Sequence, residues 1–154
     1  MTAVRDSDRG FAALLKRMRR AASPTELTVG VHEAEGSAEH GDGATILDIA
    51  VVHEFGLGNV PRRSFIGDWQ DETEQEHAAA IRAVAKAVVA GDVESVEQGA
   101  ERLGLRFVGE VQRRIAEGID PPLDPATVAR KGSSTPLIDT GQLRTSITYR
   151  VRRR

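Results

Sequence analysis

The pair of residue types most suggestive of chemistry is His53-Glu54 near the end of an apolar helical stretch. A zinc-peptidase helix carries a second histidine four residues after the first, so that one face offers two ligands. Here that position is Leu57, and one face offers a single ligand. A helix-end histidine near solvent or a core carbonyl is the simpler account. His32, His40 and His77 have no ligand spacing. Lys131-Gly132 precedes Ser133 and Ser134, but the order is the reverse of a phosphate loop and the glycine spacing is missing. A serine nucleophile needs a base, and no histidine follows residue 77. The carboxylates of 68–76 fall at a helix start, where acids complement the dipole. The chain has no cysteine, which removes disulfides, thiolate nucleophiles and thiolate metal sites. Neither a catalytic residue, a metal site nor a cofactor site is expected, and the protein reads as a non-enzyme.

What remains is arginine. Arg150, Arg152, Arg153 and Arg154 read as a basic C-terminal tail over 150–154, and Arg62-Arg63 form a second cluster. They could hold phosphates or pair with the acidic middle of an adjacent copy. Against nucleic-acid reading stand the net charge of −2, aromatics at 4% and the lack of a binding motif. The charge is uneven: +3 over 1–31, −10 over 32–121 and +5 over 122–154. That pattern suits an oriented partner surface, or simply two solvated faces.

These residues sit on a chain of 154 residues, 40% apolar and 29% charged, which suits one domain over 1–154. No apolar run approaches the ~20 residues of a membrane span, and the N-terminus does not read as a secretory signal. Residues 6–22 predict an amphipathic helix capped by Asp6, Ser7 or Asp8, with Phe11, Leu14, Leu15 and Met18 as its stripe. Alternation predicts a strand over 26–33 and another over 147–151 that pairs with it. Residues 34–44, with three glycines and no large apolar side chain, predict a mobile loop. Thr45 caps a helix that Gly56 ends, and Pro61 keeps the following stretch extended. A long helix runs from about Ser64 to Ala90, Gly91 stops it, and Asp92 caps a second over 93–118. Together they form an antiparallel helical hairpin. Asp124-Pro125 opens a short helix, and Asp139 with Gln142 has the form of a capping box for another. The fold class is therefore α+β: a long antiparallel helical hairpin packed on a small, mostly antiparallel sheet, with short flanking helices. Two strands alone are marginal in water. The sheet must lie on the hairpin or gain strands from a loop or neighbouring subunit.

Two segments, ILDIAVVHEFGLGNVPRRSFI (46–66) and PPLDPATVARKGSSTPLIDTGQLRTSITYRV (121–151), carry a resemblance. The matching residues are His53-Glu54-Phe55-Gly56 and Pro61-Arg63-Phe65 in the first. In the second they are Pro122-Leu123-Thr127, Lys131-Gly132 and Leu137-Ile138-Asp139-Thr140-Gly141-Leu143. Together they resemble the tail-completion, or neck, proteins of tailed bacteriophages. The resemblance implies a structural virion subunit that completes the tail and joins it to the head connector. It implies a homo-oligomeric ring, a hexamer by the symmetry of the tail tube, around the DNA channel. Its partners would be copies of itself, the head–tail connector and the tail terminator or tail-tube proteins, with non-specific contact to packaged DNA and none to membrane. It would reside at the virion neck, and in the host cytoplasm during assembly. On this reading Arg62, Arg63, Phe65, Trp69, Arg150, Arg152, Arg153 and Arg154 are candidates for the interface or DNA channel, while Phe65 and Trp69 alternatively belong to the core. Gly56, Pro61, Asp139, Thr140 and Gly141 fix turns and caps. A DNA-binding accessory factor using the arginine-rich termini is the alternative.

Overall fold

A computed structural model describes residues 10–39, 43–131, 136–137 and 141–154. The fold is α+β, with a long helix pair and a small two-stranded antiparallel sheet. Helix α1 (Phe11–Ala21) leads into strand β1 (Thr25–Val31), followed by the one-turn helix α2 (Glu33–Gly36) and α3 (Ile46–Phe55). The long pair is α4 (Gly67–Ala90) and α5 (Val96–Glu117). Two short helices, α6 (Pro125–Lys131) and α7 (Gln142–Thr145), precede strand β2 (Ile147–Arg153).

Local chemistry accounts for most boundaries. Thr45 caps α3 through a reciprocal pair: the Asp48 amide donates to Thr45 Oγ1 at 3.1 Å, and the Thr45 amide donates to Asp48 Oδ2 at 3.0 Å. Gly56 ends α3 at φ 68, a left-handed conformation. A Cβ there would lie 2.7 Å from the Arg62 amide nitrogen, so both the turn and the returning chain require glycine. Gly91 closes α4 as expected, but the cap of α5 is Ser95 rather than Asp92, its Oγ accepting the Gln98 amide at 3.2 Å. The hairpin joint is therefore the five residues from Gly91 to Ser95, not a Gly-Asp pair.

Three further expectations need correction. Part of the glycine-rich 34–44 stretch is ordered, as Glu33–Gly36 forms α2 against α3 and Glu39 bridges to Thr45; residues 40–42 lie outside the described residues. Helix α7 has Gly141, not Asp139, as its cap residue. Helix α1 begins at Phe11 with Gly10 as its cap residue rather than Asp6, Ser7 or Asp8, which lie outside the described residues, as do Gly132, Ser133, Ser134, Ile138, Asp139 and Thr140.

The strands pair antiparallel in the register Leu27 to Val151, Val29 to Tyr149 and Val31 to Ile147. They lie on α5, which answers how so small a sheet is held. Gly104 of α5 lets the Tyr149 ring approach so closely that any Cβ there would strike it, and Gly99 does the same for Val84 of α4. Helix α4 packs on α5 and α1 packs on α4. The core runs from Ile46 and Ala50 of α3 through Phe65 and Trp69 to Phe107, Val111 and Ile115 of α5, closed by Leu137, Leu143 and Ile147.

Candidate functional site

The site the resemblance singles out is the junction where α3 turns back into α4. Residues 65 and 66 form a bend ahead of α4, and the amides at this helix start have no intrahelical partners. Glu54, on the inner side of α3, supplies them. Its Oε2 accepts the amides of Phe65 and Ile66 at 3.0 and 3.2 Å, and its Oε1 accepts that of Gly67 at 2.8 Å. Ser64 Oγ donates to the same carboxylate and accepts the Asp68 amide at 3.0 Å. A carboxylate thirteen residues upstream thus caps a 24-residue helix at the dipole end that favours negative charge. This is why α4 begins at Gly67 and not at Ser64. Among the described residues no group of three His, Cys, Asp or Glu side chains is placed to hold a metal ion.

Arg63, expected at an interface, is 4% exposed. Its Nε and Nη2 donate to the carbonyls of Pro121 and Pro122 at 2.7 and 3.2 Å, while its amide donates to the His53 carbonyl at 2.7 Å. Burial lowers its pKa from the usual guanidinium value. Arg63 is thus a strap joining the two motif segments, a correction that follows from carbonyls nearly sixty residues away. Arg62 does face solvent, paired with Asp68; hydrogen bonding between them raises the arginine pKa and lowers that of the carboxyl. Pro61 is exposed.

Phe65 and Trp69 are both buried, which resolves their two readings in favour of the core. Trp69, Thr73 and His77, each four residues apart on α4, face Phe107 and Glu110 of α5. The His77 ring lies 4.5 Å from that of Trp69 and 4.2 Å from that of Phe107. Trp69 Nε1 donates to Glu110 Oε2 at 3.2 Å, and His77 Nε2 lies 3.5 Å from the same oxygen. Burial raises the Glu110 pKa, but Arg106 and these donors outweigh it and hold the carboxyl low. This polar cluster was missed in the sequence, where His77 had no ligand spacing. Its signal is the four-residue step from Trp69. Beside it, a cleft of about 480 Å3 opens between α4 and β1 over α5, walled by Leu27, Val29, Trp69, Val84, Leu103 and Phe107.

The arginines at the C-terminal end are not a free tail. Arg150 to Arg153 belong to β2, and three of the four arginines pair with glutamates. Arg150 lies 3.4 Å from Glu35, Arg153 3.8 Å from Glu97 and Arg154 3.1 Å from Glu26. Arg150 and Arg152 also act on His32, whose pKa is lowered first by burial and then by their charge. These pairs are exposed, and such pairs contribute about 0–1 kcal/mol each.

Glu54 and Arg63 are engaged within the fold; large apolar side chains are not all covered. Leu47, Val51 and Phe55 step by four along the outer face of α3 and are exposed, as is Leu57. Phe11, Leu14, Leu15 and Met18, the stripe of α1, are exposed too. No described helix is long and apolar enough to cross a membrane.

Comparison with known proteins gives no match among protein-family models, curated proteins or solved structures.

Proposed function

We propose that the protein is a structural subunit of the neck of a tailed bacteriophage, completing the tail and joining it to the head connector as part of a ring around the DNA path. The observation that carries this reading is the meeting of the two resembling segments. Residues 46–66 and 121–151 are far apart in sequence, yet Arg63 bridges them and Ile46, Ala50 and Phe65 share one core with Leu137, Leu143 and Ile147. The described parts of the two segments therefore meet in one core, in which Glu54, Gly56, Arg63 and Phe65 each have a definite structural task.

The surface suits assembly. A helix that is apolar on both faces belongs inside something larger, and α3 has one such face in the core and another in solvent. The arginines of β2 are held by weak surface pairs, so phosphates of packaged DNA can replace the glutamates at little cost.

The test is gold-labelled antibody against this chain on particles made by the genome that encodes it. The label should sit at the joint between capsid and tail, and disrupting the gene should leave filled heads and unattached tails. Intact, infectious particles without the chain would overturn the proposal.

A further inference from the structure

We propose that this chain associates head to tail with copies of itself: the apolar stripe of α1 in one copy docks on the outer face of α3 in the next. The inference rests on the reading of the protein as a self-assembling subunit and adds the two surfaces that meet. They lie at opposite ends of the same rod. Helix α1 is tied to the C-terminal end of α4, where Arg17 Nη1 donates to the Ala90 carbonyl at 2.9 Å. Helix α3 is tied to the N-terminal end, through the contacts of Glu54 with Phe65, Ile66 and Gly67. The 24 residues of α4 separate these ends by about 36 Å.

The two faces match in shape and oppose in charge. Each is a short helix of three turns with an exposed apolar stripe, Phe11 to Met18 on one and Leu47, Val51 and Phe55 on the other. Residues 11–21 carry Lys16, Arg17, Arg19 and Arg20 and no acid. Residues 33–55 carry neither lysine nor arginine, and Glu33, Glu39 and Asp48 are exposed there, while Glu54 is turned inward and Glu35 pairs with Arg150. Pairing α1 with α1 sets cations against cations, and pairing α3 with α3 sets acids against acids. The cross pairing buries both stripes and joins opposite charges. Because the faces are different and lie at opposite ends, each copy keeps one face open after docking, and the contact repeats until a ring closes.

Two variants of the full chain test this: Phe11→Glu/Met18→Glu and Val51→Glu/Phe55→Glu. Light scattering after size exclusion reads their mass, and circular dichroism checks that helicity and Tm match the parent. Serine at the same positions replaces glutamate if Tm falls. The parent chain should associate, more weakly as salt is raised. Each variant alone should be monomeric. Their equimolar mixture should give a species of two chains, since one variant keeps a sound α3 and the other a sound α1. A variant that still self-associates, a mixture that stays monomeric, or a parent chain monomeric at every concentration overturns the docking. The neck proposal is judged separately, by labelling of particles.

Discussion

The two sides of α3 do opposite things. On the inner side Glu54 gathers a hydroxyl and three amides, Ile46 and Ala50 enter the core, and the His53 carbonyl receives the Arg63 amide. On the outer side Leu47, Val51 and Phe55 reach solvent, Phe55 being 65% exposed. Of the polar pair that first suggests chemistry, Glu54 has its carboxylate satisfied within the fold. In the assembly proposed here, the polar residues of the motif build the subunit, and exposed apolar residues, Phe55 of the motif among them, are left for a partner.

The comparison breaks most visibly if the inner side proves dispensable. Phe65→Ala empties a fully buried ring site, and unfolding in urea should show a loss of about 3–5 kcal/mol. Arg63→Ala removes the bonds to the Pro121 and Pro122 carbonyls. It should cost about 2–3 kcal/mol and leave the 118–124 segment open to limited proteolysis. Acid provides a subtler test. The carboxyls of Asp48, Asp68, Glu72 and Glu110 are held below their ordinary range by Thr45, Arg62, Arg114 and Arg106 respectively, burial of Glu110 notwithstanding. On acidification the unfolded chain therefore takes up protons first. Their contribution is present above about pH 5 and is lost as pH falls towards 3. His32 has the same sign, since its folded pKa is lowered, and begins a shallow decline below about pH 6.5. Urea midpoints measured across this range should show the shallow and then the steep limb, and His32→Gln should remove the first. At the small end, Arg153→Ala or Arg154→Ala should change stability by less than about 1 kcal/mol in the same unfolding assay.

Long periodic elements were legible in the sequence because one apolar stripe repeated over many turns leaves little choice. The pairing of the two terminal strands was legible for the same reason, as was the Thr45 cap, whose partner Asp48 is three residues away. What was not legible depends on groups distant in the chain. Helix α4 starts late because its cap comes from Glu54, and Arg63 is buried because carbonyls at 121–122 receive it. The end of β2 looked like a tail because its arginines find their glutamates in residues 26–97. The stripe of α1 was visible, but periodicity says that a helix has an apolar face and not what covers it.

Neighbouring residues allow the central claim to be tested in one paired measurement: urea stability and sedimentation of Glu54→Gln beside those of Phe55→Glu. The account predicts that Glu54→Gln loses about 2–3 kcal/mol of stability, because a charged acceptor of four donors is replaced by an amide. Molecules that remain folded should still associate. Phe55→Glu should unfold within about 0.5 kcal/mol of the parent and yet sediment as a monomer. The reverse pattern, a stable Glu54→Gln or a Phe55→Glu chain that still assembles, would contradict it.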